Sequence, residues 1–198
     1  MAEKIDPVAL TSRFADALTY AAQVHAGQGR KGTSIPYIAH PLGVASIALE
    51  YGANEDETIA ALLHDAIEDA PDPRAAKEEI RRRFGTAVAA IVEGCSDSET
   101  RPKPPWRERK ERYLAHLPEA SPSVRLVSAS DKLHNTRAIL RDHRELGEAV
   151  WTRFNAPKSE TLWYYRALVT AFLAVGPRTL AEELDRVVTA IEQRATSR

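Results

Sequence analysis

Four ionisable side chains are concentrated in the short apolar segment 61–69. The segment is Ala-Leu-Leu-His-Asp-Ala-Ile-Glu-Asp, so that a His-Asp pair is followed one turn later by a Glu-Asp pair. Side chains four residues apart share a face of an α-helix, so a continuous helix stacks His64 over Glu68 and Asp65 over Asp69. Burying unpaired charge is costly, and a divalent metal ion can satisfy imidazole nitrogen and carboxylate oxygen together. The segment therefore predicts a metal site.

A second polar stripe lies on the helix that is expected after Ser121. At helical spacing, Asp131 and Asn135 continue a face that begins with Val124 and Val127. Most Asp side chains are solvated at protein surfaces, but the two valines on this stripe favour an inward position. Asp131 is therefore a candidate for a further carboxylate ligand.

His40 is the third element of the predicted site, and it precedes Pro41 at the expected start of a helix. Taken alone, a histidine in this position is more often a capping or packing residue than a ligand. With the other candidates it makes a set of two imidazoles and two carboxylates: His40, His64, Asp65 and Asp131. Such a set suits a six-coordinate first-row ion such as Mn²⁺ or Fe²⁺ better than a zinc site built on thiolates.

Length and composition predict one globular domain. The chain has 198 residues, of which 43% are hydrophobic, and its net charge of −1 provides no global field that would favour nucleic acid or a membrane surface. The single cysteine, Cys95, fits a reducing compartment, and we expect it to be a small, partly buried side chain. No apolar run approaches the roughly 20 residues that span a bilayer. We therefore expect a soluble cytoplasmic protein with one domain over 1–198, a core at about 8–175 and a C-terminal helix at about 177–194 packed on it.

The fold class predicted from residue patterns is all-α, with about eight to ten helices, because strand signals are weak throughout. A Gly-rich basic loop at 27–34 follows the first helix, and a second basic loop at 101–112 leads into a later one. Asn54 is expected to cap the helix that carries segment 61–69. The predicted helices cover 8–27, 41–50, a stretch from 54 to about 70, 73–84, 86–94, 121–140, 158–174 and 177–194.

The ordered set of His40, the His64-Asp65 pair and Asp131 resembles the HD superfamily of metal-dependent phosphohydrolases. The resemblance extends to five blocks that follow one another at the expected spacing, namely 28–31, 36–42, 60–69, 84–85 and 129–135. These blocks are similar to the hydrolase domain of the RelA/SpoT alarmone enzymes, and especially to the stand-alone small alarmone hydrolases of the Mesh1 type. The resemblance covers roughly residues 8–175 and implies the HD-domain helical fold.

This resemblance implies hydrolysis of the 3′-pyrophosphate of guanosine 3′,5′-bis(diphosphate), ppGpp or pppGpp, to GDP or GTP and pyrophosphate. The implied cofactor is Mn²⁺, with Fe²⁺, Co²⁺ or Zn²⁺ as alternatives, held by the four ligands named above. Glu68 and Asp69 are then the residues that orient or deprotonate the attacking water, a role that suits carboxylates one turn beyond the ligands. The implied partner is a guanine-nucleotide alarmone, with no nucleic acid or membrane partner.

The resemblance also implies substrate contacts. Arg30 is expected to stack on the guanine with Lys31 beside it, and Asn135 to hydrogen-bond the ribose or phosphate region. Lys158, or a tyrosine after it, is a further candidate for the phosphates or ribose. At Ala138 the chain departs from the family pattern, which often has Thr or Asp there, and this puts the substrate range in question.

Two other functions remain as alternatives. One is an HD phosphohydrolase acting on a different nucleotide, such as an adenine alarmone, NADPH or a nucleoside phosphate. The other is a catalytically silent nucleotide-binding module, which is disfavoured because all ligands and both carboxylates are present. In the basic loop at 101–112, Lys103 or Arg107 could contact substrate phosphates. That the loop is only a solvated surface segment is an equally good interpretation. His25 is expected to lie in the core or to support the metal ligands without being one, and His134 is expected to be structural.

Overall fold

The structure, a computed structural model, describes residues 7–96 and 102–196. Within these ranges it contains ten α-helices, one 3₁₀ helix and no β-strand, with an isolated β-bridge between Gly29 and Pro36. The all-α prediction is confirmed. The α-helices are α1 (Ser12–Val24), α2 (Ala39–Glu50), α3 (Glu55–Leu63), α4 (Ala66–Asp69), α5 (Pro73–Phe84), α6 (Thr86–Cys95), α7 (Trp106–His116), α8 (Pro122–Leu146), α9 (Lys158–Val175) and α10 (Arg178–Thr196), and the 3₁₀ helix is Gly147–Arg153.

Helix α3 lies at the centre of the molecule. It packs against α1, α2, α6 and α8, and every residue from Thr58 to Leu63 is buried. A helix that is covered on all sides must be apolar on all sides, which explains the near absence of an amphipathic pattern in this stretch. The C-terminal end of α3 therefore delivers His64 directly into the interior.

The start of α3 is determined by a capping box. The side chain of Asn54 accepts a hydrogen bond from the backbone N–H of Glu57, and the Glu57 carboxylate accepts one from the backbone N–H of Asn54. This confirms the predicted role of Asn54. The first helix is shorter than predicted because Thr11 caps it, so that α1 begins at Ser12 instead of residue 8.

The prediction of one continuous helix through 61–69 is wrong. Helix α3 ends at Leu63, and α4 begins only at Ala66. The carbonyl of Ala61, which is the regular helical acceptor for the amide of residue 65, accepts a hydrogen bond from the His64 imidazole at 2.8 Å. Asp65 has ψ −8°, well away from the helical value of about −42°. The His64 side chain thus takes the Ala61 carbonyl that the backbone amide of Asp65 would use in a regular helix, and the chain turns at the His-Asp pair.

The C-terminal helices form the other half of the molecule. Helix α8 is longer than predicted, and α10 packs against both α8 and α9. Buried apolar residues from α1 to α10 belong to one connected cluster.

Arg101 of the predicted basic loop lies outside the described residues. In the described ranges, no helix is both long and apolar enough to cross a bilayer.

Cys95 lies at the end of α6, partly buried beside Ser128 as expected. Burial raises the pKa of its thiol to about 11. The thiol is therefore protonated at neutral pH, which makes it a weak nucleophile.

Candidate active site

The side chains predicted as metal ligands converge where α2, α8 and the turn after α3 meet. The Nε2 atoms of His40 and His64 are 3.2 Å apart, and Asp65 Oδ2 lies 3.4 Å from the first and 3.2 Å from the second. One ligand atom from each of these three residues falls within 4.8 Å of the others. Asp131 Oδ1 lies 3.2 Å from His40 Nε2 and 3.7 Å from His64 Nε2. The structure therefore brings all four side chains together.

The hydrogen bonds of the two imidazoles direct their Nε2 atoms toward this cluster. His64 Nδ1 faces the Ala61 carbonyl, which can only accept, so Nδ1 carries a proton. His40 Nδ1 lies 2.9 Å from His134 Nδ1. In the neutral form of both ligands a proton on Nδ1 leaves the Nε2 lone pair for a metal ion, the arrangement usual for metal-binding histidines.

His134 is a positioning residue that the sequence interpretation missed. It was expected to be structural because it points about 100° away from Asn135 on the helix. His134 does point away from Asn135, but α2 packs on the side of α8 that His134 faces, and this places His40 beside it. Burial, reinforced by the nearby His40, lowers the pKa of His134 to about 4. At neutral pH His134 is uncharged and can accept the hydrogen bond from His40.

Gly43 allows His134 to approach α2. A Cβ atom added at Gly43 would lie 2.2 Å from His134 Cδ2 and 2.3 Å from its Nε2, far inside van der Waals contact. Replacing Gly by Ala inside a helix normally stabilises it by about 1 kcal/mol. Here we expect Gly43→Ala to destabilise the protein by about 1–3 kcal/mol through overpacking, and to weaken metal binding because His134 is displaced.

Urea unfolding and metal titration of the Gly43→Ala variant test this expectation. The exposed Ala22→Gly variant on α1 serves as a control for the ordinary helix propensity difference. A Gly43→Ala protein that is more stable than the parent and binds metal equally well would contradict the assigned contact.

Charged neighbours control the protonation of the metal-free cluster. Burial disfavours charge on His64, yet Asp65 and Asp131 outweigh it and raise the pKa of His64 well above the ordinary value. Burial likewise acts against Asp65, but the imidazoles of His64 and His40 hold its pKa well below the usual range. Metal binding must therefore displace a proton from His64.

Each carboxylate is also held from outside the cluster. Asp131 Oδ2 is 2.5 Å from Lys132 Nζ, and Asp131 Oδ1 accepts a hydrogen bond from Asn135 at 2.5 Å. Although burial opposes the charge of Asp131, Lys132 and the imidazoles keep its pKa well below normal. Tyr37 donates its hydroxyl hydrogen to Asp65 Oδ2 at 2.7 Å. These contacts orient the carboxylates toward the imidazoles.

The donor set fits a divalent metal ion. Two imidazole nitrogens and two carboxylate oxygens meet at a site where both histidines are less than 5% exposed. Buried carboxylates and imidazoles packed this closely are best stabilised by a shared cation. A divalent metal is therefore the group that the arrangement accommodates.

The two candidate catalytic carboxylates lie on α4, one turn beyond Asp65. Glu68 Oε2 is 3.0 Å from Lys103 Nζ. Asp69 Oδ2 lies 3.7 Å from His25 Nδ1, and burial together with the charge of Asp65 raises the pKa of Asp69. A carboxylate with a raised pKa is suited to accept a proton at neutral pH. His25, expected in the core or in support of the ligands, thus lies beside a candidate catalytic group.

A cavity of about 480 Å³ lies beside the cluster and is bordered by one of its members, His40. Three of the predicted substrate contacts, Arg30, Lys31 and Asn135, line it, and so does Ala138. Arg30 donates a hydrogen bond to the side-chain oxygen of Asn135 at 2.7 Å and lies over the Tyr37 ring. The volume is in the range of small-molecule sites, and His40 and Lys132 form part of its wall.

The remaining cationic candidates lie elsewhere. Lys158 Nζ contacts the Glu148 carboxylate at 2.9 Å and the Ala195 carbonyl at 2.6 Å, and Lys158 is not part of the cavity wall. Arg107 pairs with Glu160 and stacks on the Trp163 ring. The structure thus does not bring these two cations to the cavity.

We expect Lys158→Met to leave the KM for a nucleotide substrate unchanged within about twofold, because its contacts tie α9 to Glu148 and α10. Loss of the partly exposed ion pair is expected to lower the stability by about 0–1 kcal/mol. Steady-state kinetics and urea unfolding of the variant check both values. A large rise in KM at unchanged stability would show that Lys158 reaches the substrate.

The helical fold and its cluster of two histidines and two aspartates define a class of metal-dependent phosphohydrolases. The chain belongs to the HD domain family, whose model matches residues 17–159.

Within that family, the chain is 42% identical over 129 residues to the guanosine-3′,5′-bis(diphosphate) 3′-pyrophosphohydrolase MESH1 of Xenopus tropicalis, covering 64% of this chain and 69% of that protein. It is 37% identical over 133 residues to the human MESH1 enzyme, covering 66% and 71%. It is also 34% identical to the bifunctional (p)ppGpp synthase/hydrolase SpoT of Escherichia coli K12, over 64% of this chain but 18% of SpoT.

A solved structure shares the fold. It is that of a metazoan ortholog of SpoT described as hydrolysing ppGpp, with a TM-score of 0.75, 24% identity and coverage of 96% of this chain and 99% of that one. The HD-domain helical fold is thus confirmed.

Proposed function

We propose that this protein is a metal-dependent hydrolase that removes the 3′-pyrophosphate of ppGpp and pppGpp. The observation that carries the proposal is the convergence of His40, His64, Asp65 and Asp131. His40 also lines the cavity to which Arg30, Lys31 and Asn135 belong. The relatives that are named as guanosine-3′,5′-bis(diphosphate) 3′-pyrophosphohydrolases support it.

In this proposal the four converging side chains hold Mn²⁺. When bound, the ion supplies Lewis-acid activation of water and offsets negative charge on phosphoryl oxygens. Carboxylate and imidazole ligands without thiolate favour Mn²⁺, and Fe²⁺, Co²⁺ and Zn²⁺ are compatible with the same donors. Tyr37 and Lys132 keep the two aspartates in their orientation.

The chain's own groups move the proton and place the substrate. Asp69, whose pKa is raised, accepts a proton from the attacking water, and Glu68 orients that water. The water oxygen forms a bond to the phosphorus attached to the 3′ oxygen, and the bond from this phosphorus to the 3′ oxygen breaks. The 3′ oxygen takes up a proton, so ppGpp and water become GDP and pyrophosphate.

Arg30 and Lys31 place the purine and Asn135 the sugar or phosphate region. Arg30 and Asn135 are already hydrogen-bonded to each other, and Lys31 Nζ contacts Asn155 Oδ1 at 2.5 Å. Both cationic side chains are thus held at the cavity before substrate arrives. Preorganised groups lose less conformational entropy on binding than free ones.

The test is to give metal-free protein ppGpp with and without Mn²⁺ and to separate the products by anion-exchange chromatography. Release of GDP and pyrophosphate only in the presence of Mn²⁺ is the expected result. If the folded, metal-loaded protein leaves ppGpp intact, the alarmone assignment is wrong, and a panel with adenine alarmones and NADPH identifies the substrate instead.

A further inference from the structure

Two buried hydroxyl groups in the wall of the cavity lack hydrogen-bond partners. Thr161 and Tyr164 are only 3% and 5% exposed, and neither Thr161 Oγ1 nor the Tyr164 hydroxyl has a partner among the described residues. Both residues line the cavity. Leaving a buried hydroxyl unsatisfied is unfavourable, and such groups in native proteins call for an explanation, such as a catalytic role or a bound water or ion.

The two residues are three apart on α9 and therefore lie on the same face of that helix. The Tyr164 ring is held in place by an edge-to-face contact with Trp106, with a centroid distance of 5.8 Å, and by the ammonium group of Lys110 over its face at 4.8 Å. The hydroxyl is thus carried on a ring whose position is determined by its neighbours.

Lys132 brings a positive charge to the same cavity. Its ammonium group is 2.5 Å from Asp131 Oδ2, and it also lies over the Tyr113 ring. An ammonium group has three N–H donors, so one bond to Asp131 leaves others for a ligand. Because Asp131 is one of the converging ligands, an anion held by Lys132 lies next to the metal cluster and not at the outer mouth of the cavity.

We propose that Thr161, Tyr164 and Lys132 form a binding subsite for a pyrophosphate group beside the metal cluster. Hydroxyl donors and an ammonium group match the many acceptor oxygens and the negative charge of a diphosphate. The inference rests on the proposed function for its place in the reaction, where the subsite holds the pyrophosphate that the hydrolysis releases. The 5′-diphosphate of the nucleotide then occupies a different part of the cavity.

The test measures binding of inorganic pyrophosphate and, separately, of GDP to the Mn²⁺-loaded protein by titration calorimetry. Tyr164→Phe removes the hydroxyl group, and Thr161→Val replaces it by a methyl group of similar size. Thr170→Val, an exposed residue on α9, and Tyr20→Phe, which packs on Phe84, are the matched controls. Each cavity variant is expected to weaken pyrophosphate binding about tenfold, with GDP binding unchanged within about twofold. The controls are expected to behave as the parent protein.

Stability provides a second measurement. Since both hydroxyls are unpaired in the free protein, their removal is expected to leave the melting temperature unchanged or raise it. Unchanged pyrophosphate affinity in both variants would mean that the hydroxyls bind only water, and the subsite proposal would be wrong. Weakened GDP binding with unchanged pyrophosphate binding would assign the subsite to the 5′-diphosphate and overturn it as well. Hydroxyl-dependent pyrophosphate binding by a protein that leaves ppGpp intact would support the subsite and reject only the proposed function.

Discussion

Replacing His64 by alanine is expected to abolish tight binding of Mn²⁺ and to reduce ppGpp hydrolysis to background. His64 Nε2 lies within 3.7 Å of His40, Asp65 and Asp131, so its removal leaves a gap at the centre of the donor set. Loss of a ligand's hydrogen-bonding partner alone reduces metal affinity by about 10- to 100-fold, and loss of the ligand itself is expected to exceed this. Metal content after dialysis and calorimetric titration with Mn²⁺ measure the effect.

The His64→Ala variant also leaves Asp65 and Asp131 with one fewer cationic neighbour. We therefore expect the metal-free variant to be about 1–3 kcal/mol less stable than the metal-free parent, as is typical when a buried polar partner is removed. His116→Ala, at an exposed position near the end of α7, is the matched control and should retain full metal binding. Parent-like Mn²⁺ affinity in a folded His64→Ala protein would rule out His64 as a ligand.

Replacing Glu68 by glutamine is expected to lower kcat by about 10²-fold, because an amide replaces the carboxylate that orients the attacking water and misplacing a reacting group by about 1 Å can cost this much. Metal binding should remain, because Glu68 is separate from the four converging ligands and contacts Lys103. The substitution keeps the shape of the side chain and removes its charge. Steady-state kinetics with ppGpp, together with metal analysis of the same sample, separate an effect on catalysis from loss of the cofactor.

A suitable control for Glu68→Gln is Glu111→Gln, on the exposed face of α7, where no change in kcat is expected. An unchanged kcat in the Glu68 variant would show that Glu68 does not orient the water and would leave Asp69 as the one catalytic carboxylate of the pair. The comparison also discriminates an enzyme from a silent nucleotide-binding module, since a module has no turnover to lose.

Most of the candidate metal cluster could be predicted because its charged and polar members stand where the surrounding sequence is apolar. Asp131 follows Val124 and Val127 on a buried stripe, and the His64-Asp65 pair interrupts an apolar run. Charged residues in such places need partners, which limits the possible arrangements. The predicted set of four ligands agrees with the convergence in the structure, although each assignment as a metal ligand stays a prediction until a metal is measured.

What could not be predicted depends on contacts between helices that are distant in sequence. The turn between α3 and α4 involves a side-chain hydrogen bond from His64 to Ala61, which no periodicity signals. The role of His134 depends on α2 passing beside α8. Lys158 has the charge expected of a phosphate ligand, but Glu148 and the end of α10 surround it. In each case the residue type indicated a possible role, but the sequence did not show which residues would contact it in the fold.

The close packing of His134 over Gly43 couples the evolution of two positions that are far apart in the sequence. A larger residue at position 43 can be accommodated only if position 134 becomes smaller, and a smaller residue at position 134 no longer accepts the hydrogen bond from His40. Neither position can therefore change alone without cost. A compensating pair of changes would restore the packing but not the hydrogen bond that His134 accepts from His40. The effects of substitutions at these two sites on stability should therefore be non-additive. Metal binding should be weakened both in the single variants and in the pair.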